Sequence, residues 1–120
     1  MKILAVDDSI TMLNLIKKTL TDMGYTDIIL SQSGDDALEK LEQQPIDLVL
    51  LDWHMPGLTG LDCLRIIKNN DVMKKVPVVM LTTEDHPMSI QSARDSGASA
   101  YLIKPITPEH VDLVVKKIFR

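Results

Sequence analysis

A single cysteine, Cys63, leaves no partner for an internal disulfide. The fold must therefore rest on its core rather than on covalent staples, and one cysteine fits a reducing compartment without establishing it. Aromatic residues are only 3% of the chain, so that core is mostly aliphatic. No basic cluster stands out, and 13 Lys and Arg face 17 Asp and Glu for a net charge of −4. That balance disfavours direct binding of nucleic acid. No apolar run approaches the roughly 20 residues of a membrane span, and membrane insertion is not expected. The chain enters an apolar run at residue 3 with no basic-then-apolar leader before it, and a cytoplasmic location is expected. No repeat, low-complexity tract or Pro/Gly/Ser-rich stretch marks a boundary, and a length of 120 residues suits one domain spanning 1–120.

What the chain does contain is an alternation. Short apolar runs, ILAV (3–6), IIL (28–30), DLVLL (47–51), VPVVML (76–81) and AYLI (100–103), are separated by segments of helical period. Several runs are continuous, as strands covered on both faces should be. The first helix is expected from near Ser9 to Gly24, with Leu13, Ile16, Leu20 and Met23 on one face. The second has Ser33 as cap with Asp36 three residues on, and ends before Pro45. The third pairs Thr59 with Asp62 in the same way and turns Leu61, Leu64 and Ile67 inward. The fourth runs from about Pro87 to Gly97 around Ile90 and Ala93. The fifth starts at Thr107-Pro108 and presents Val111, Val114, Val115 and Ile118. Cys63, Met12 and Met23 are expected in or near the core.

Five βα units in succession give the α/β class: a doubly wound, five-stranded parallel sheet with helices on both faces. Ligands of such sheets bind beyond the carboxyl ends of the strands. Strand one ends in Asp7-Asp8, strand three in Asp52, strand four in Thr82, Thr83 and Glu84, and strand five in Lys104 before Pro105. Each of these alone is an ordinary turn or cap residue. Converging, three carboxylates repel by roughly 4 kcal/mol per pair at 4 Å and an effective dielectric near 20. A hard dication such as Mg²⁺ with oxygen ligands, or a fixed ammonium, would offset that. Carboxylate nucleophile, dication, Lys and Thr together make a phosphoryl-transfer set.

The blocks VDDS, LLDWHMPGLTG, VVMLTTED and GASAYLIKPIT resemble the signature blocks of response-regulator receiver domains. The resemblance runs from residue 2 to 119, and DWHMPG with the terminal KKIF leans towards the stand-alone chemotaxis regulators. It implies a flavodoxin-like (βα)5 fold with strand order 2-1-3-4-5. It also implies that Asp52 is the phosphoacceptor, that Asp8 and Asp52 bind Mg²⁺ directly and Asp7 through water, and that the backbone carbonyl of His54 is a further ligand. Thr82 and Lys104 would hold the phosphoryl oxygens, Tyr101 would be the aromatic whose rotamer follows Thr82, and the Lys104-Pro105 bond would be cis.

The implied function is a phosphorylation-controlled switch of a two-component system. A histidine kinase is the phosphodonor, and the domain catalyses only its own phosphorylation and dephosphorylation, so it is not an enzyme in the usual sense. The face of helix four, strand five and helix five then changes to control a downstream protein target, with chemotaxis as a candidate setting and a monomer expected. An alternative is a Mg²⁺-dependent phosphohydrolase with an aspartyl-phosphate intermediate. Asp two residues past the nucleophile would be its usual sign, and His54 stands there. A flavin or nucleotide site is disfavoured, because DDSITM sets two carboxylates where a phosphate cradle would lie. The His54 imidazole is not expected to bind the metal, since Mg²⁺ prefers oxygen. Its side chain and Glu84 are expected to edge the path of the hydrolytic water.

Overall fold

The computed structural model describes residues 1–83 and 87–119. Strands and helices alternate without exception among them: β1 Lys2–Val6, α1 Ile10–Asp22, β2 Asp27–Ser31, α2 Gly34–Gln43, β3 Leu48–Asp52, α3 Gly60–Lys68, β4 Val78–Thr82, α4 Pro87–Asp95, β5 Ala100–Ile103 and α5 Pro108–Ile118. The five strands form one sheet in the order β2-β1-β3-β4-β5, every pair parallel. This is the flavodoxin-like arrangement expected above. Glu84, placed above at the exit of strand four, lies outside the described residues.

Four helix starts follow directly from sequence. Ser9, Ser33, Thr59 and Thr107 each accept the N–H of the residue three further on. Such caps satisfy an otherwise orphaned donor and are worth about 1 kcal/mol each. Gly24 and Gly97, at φ +100° and +104°, end α1 and α4 in the left-handed conformation that side chains resist.

The continuous apolar strands are continuous because both faces are covered. Leu4, Val6, Val49, Leu51, Val78 and Met80 pack against α2 and α3 through Ala37, Leu41, Cys63, Leu64 and Ile67. On the opposite face Ile3, Ala5, Leu48, Leu50, Val79 and Leu81 pack against Leu13, Ile16 and Leu20 of α1 and Val111 of α5. Met12 and Met23 are part-buried against this second layer. Leu61 is only partly buried, and Cys63 takes the deep position on α3. The pairing that matters for function is Val6 with Leu51 at the centre of the sheet. It brings the next residue of each strand, Asp7 and Asp52, to the same edge.

Burial pushes the Cys63 thiol pKa up to about 12, with the Asp35 carboxylate adding to the effect. The folded state therefore holds that proton more tightly than the unfolded chain, and this group withdraws stability as pH climbs from 9.0 towards 12. At pH 8 native protein should leave Cys63 unalkylated by iodoacetamide while urea-unfolded protein labels fully. Labelling of native protein at the unfolded rate would contradict the packing of α3.

Candidate functional site

The sheet gathers its chemistry at the carboxyl edge. Asp7 follows β1, Asp52 is the last residue of β3, Thr82 the last of β4, and Lys104 follows β5. Asp7 and Asp52 are 1% and 2% exposed. Local bonding fixes each. The Asp7 N–H donates to the Ser31 carbonyl at 3.0 Å, and its Oδ1 accepts the Ser9 N–H at 2.9 Å. The same Ser9 caps α1, so the strand-to-helix turn and the carboxylate are set together. Trp53 N–H donates to Leu81 O at 2.8 Å, and Lys104 N–H to Thr82 O at 2.7 Å. These bonds tie the exits of β3, β4 and β5 to one another.

Lys104 joins the two buried acids. Its Nζ lies 2.9 Å from Asp52 Oδ1 and 3.1 Å from Asp7 Oδ2. Asp8 completes the cluster from the exposed side: one oxygen from each of Asp7, Asp8 and Asp52 lies within 4.8 Å of the others. Burial raises the pKa of Asp52, opposed by the Lys104 hydrogen bond, reinforced by the charge of Asp7, and opposed again by the Lys104 charge and the His54 backbone N–H. For Lys104, burial works against the ammonium, but bonding to Asp52 and Asp7 outweighs it and raises the pKa.

The structure thus brings Asp7, Asp8, Asp52 and Lys104 into one constellation, with Thr82 buried at the neighbouring strand end. The His54 side chain is exposed beside it. Tyr101 is not part of this cluster. It is half-buried on β5, packed against the α2/α3 layer, and it lines a groove of about 540 Å³ between α4, β5 and α5 with Ile90, Arg94, Val114 and Lys117. The Lys104-Pro105 bond is cis.

Three carboxylates against one ammonium leave a formal charge of −2. The donors are all oxygen, and Asp8 is open to solvent. That set fits a hard dication that keeps part of its water shell. Two further contributors escaped the sequence reading: the Ser31 carbonyl, which orients Asp7, and Gly60, which abuts the main chain of Asp52. A main-chain acceptor has no sequence signature. Gly60 has a weak one, since glycine is a poor occupant of a helix.

Comparison with known proteins places the whole chain in a family. The family model for the response regulator receiver domain matches residues 3–116. Chemotaxis protein CheY of Pseudomonas aeruginosa is 39% identical over 119 residues, covering 99% of this chain and 96% of the relative. Chemotaxis protein CheY1 of Helicobacter pylori is 39% identical over 110 residues, covering 91% and 89%. Among solved structures, chemotaxis protein CheY4 of Vibrio cholerae superposes with a TM-score of 0.89 at 33% identity over 98% of each chain. The chain belongs to the response-regulator receiver domain family, and its relatives of the CheY type are chemotaxis proteins by name.

The raised pKa of Asp52 has a sign that can be measured. Ionising it is less favourable in the folded state than in the unfolded chain, so it withdraws stability as pH rises from 3.8 through its folded value and returns it as pH falls back towards 3.8. In EDTA, Asp52→Asn should therefore gain stability over wild type at pH 7, and the gain should shrink as pH falls towards 4. Urea unfolding across that range checks it. A gain that grows on acidification would reverse the assignment.

Proposed function

We propose that the chain is a phosphorylation-controlled signalling switch that accepts a phosphoryl group on Asp52 from a histidine kinase. One observation carries the reading: a buried carboxylate at the central strand exit, bridged by an ammonium to a second acid, within 4.8 Å of a third, exposed one. Structural ion pairs need no third carboxylate at that distance, where each added pair repels by roughly 3 kcal/mol at an effective dielectric near 20. Membership of the receiver family supports the same reading.

In this reading Asp7, Asp8, Asp52 and the His54 backbone carbonyl would hold Mg²⁺. The ion supplies charge neutralisation for the oxygens of the transferring group. Asp52 attacks phosphorus, the new O–P bond forms as the P–N bond of the phosphohistidine breaks, and the imidazole departs. Lys104 already faces Asp52 Oδ1 and is placed to follow the phosphoryl oxygens, while the Thr82 hydroxyl donates to another. Water later attacks phosphorus, releasing inorganic phosphate and restoring the carboxylate. Catalysis is confined to these two steps on the protein itself. His54 narrows the water's approach and slows the second.

Phosphorylation adds roughly one negative charge at Asp52. Lys104 and Thr82 shift towards it, and Tyr101 follows Thr82 inwards. Tyr101 lines the α4-β5-α5 groove, so its movement would change the surface a downstream protein meets. The names of the relatives favour chemotaxis as the setting. The reading is of a cytoplasmic monomer.

Incubation with acetyl phosphate and Mg²⁺ should add one phosphoryl group per chain, labile to hydroxylamine and base. Asp52→Asn should abolish it. A label that survives this substitution, or behaves as a Ser/Thr phosphoester, would rule against the mechanism.

A further inference from the structure

The start of α3 touches the main chain of Asp52. A Cβ built on Gly60 would overlap the Asp52 carbonyl oxygen and lie 2.9 Å from both its carbonyl carbon and Trp53 Cα. All three are backbone atoms, so no side-chain rotation relieves the clash. The Gly60 N–H donates to the Trp53 carbonyl at 3.1 Å. Together these contacts close the neck of a seven-residue loop, 53–59, which carries His54.

The rest of that loop is already pinned. Met55 is buried in the α2/α3 layer. Leu58 lies against Gly34 at the start of α2, where a Cβ would meet Leu58 Cδ2 at 2.9 Å. The helix behind the neck is held too, by Cys63, Leu64 and Ile67. A methyl group at Gly60 would therefore press directly on the peptide between Asp52 and Trp53, which the Trp53 N–H bonds to Leu81 O on its far side.

We propose that Gly60 is a positioning residue for the metal and phosphoacceptor site: it lets α3 close directly on the Asp52 peptide and so sets both the Asp52 carboxylate and the His54 carbonyl. The proposal rests on the function argued above. Mg²⁺ demands near-octahedral geometry at short distance, so a displaced loop loses affinity before it loses its fold. Helix propensity works in the opposite direction, since alanine is the better helix former.

The test compares Gly60→Ala with Gly34→Ala. Both add a methyl to the first residue of a helix against the same loop, but at Gly34 it meets only the Leu58 side chain, Cδ2 at 2.9 Å and Cβ and Cγ at 3.3 Å, and no main-chain atom of the loop. Mg²⁺ is titrated while following fluorescence of Trp53, the chain's one tryptophan. Gly60→Ala should weaken Mg²⁺ binding roughly tenfold or more and slow labelling by acetyl phosphate, while Gly34→Ala stays within about twofold of wild type. A folded Gly60→Ala protein with wild-type Mg²⁺ affinity would overturn the proposal and leave the function reading standing. Wild type that neither binds Mg²⁺ nor takes the label would overturn both.

Should Gly60→Ala fail to fold, wild type itself decides. If the neck sets the metal site, metal must in turn tighten the neck. Exchange of the Gly60 amide should then slow with Mg²⁺ by a larger factor than exchange of the Val111 amide, which is bonded to Thr107 O at the start of α5. Equal slowing of the two would overturn the proposal.

Discussion

Like charges forced together at the end of a parallel sheet are the constraint on which the rest depends. Parallel pairing of β1 with β3 delivers Asp7 and Asp52 to one edge, and the turn after β1 adds Asp8. Lys104 reaches the two buried acids from β5 and offsets part of the repulsion. The remainder is a net negative charge on oxygen donors, a set that fits a hard dication. A fold concerned only with stability would do better with apolar residues there, since buried ion pairs return little net stability.

Fold and site are therefore one argument. The sheet is buried on both faces, which leaves its carboxyl edge as the place where polar groups can gather. The capping serine that starts α1 also fixes Asp7. The first residue of α3 touches Asp52. The last strand carries both Tyr101 and, just beyond it, Lys104. Asp52 is thus bonded through Lys104 to the end of the strand that borders the α4-β5-α5 groove.

Much of this was legible in the sequence because it is local. Strands appeared as apolar runs and helices as capped periodic segments, with ends displaced by one or two residues where pairing set them. β4 begins at Val78 rather than 76 because Pro77 has no N–H and serves the sheet through its carbonyl, bonded to Val49 N–H. Asp52 is the final residue of its strand, at the tip where its place after the apolar run put it. Asp7, Asp8, Asp52 and Lys104 were named from their strand exits and do converge. The contacts that needed packing were not legible. No periodicity says that one ammonium touches two acids 97 and 52 residues away in sequence, or that Gly60 meets a backbone carbonyl. On α3, Cys63 is buried beside Leu64 and Ile67, while Leu61 is only partly covered.

The acidic cluster at the sheet edge is either a dication site or an ion-pair network without one. Thermal unfolding of wild type and Asp8→Ala in MgCl₂, against NaCl of matched ionic strength, asks this directly. A ligand that binds only the folded state raises its stability with concentration. Wild type should gain Tm progressively in MgCl₂ beyond its response to NaCl, and Asp8→Ala should lose most of that extra gain. Equal behaviour in the two salts, or an undiminished Mg²⁺ response in Asp8→Ala, would contradict the account.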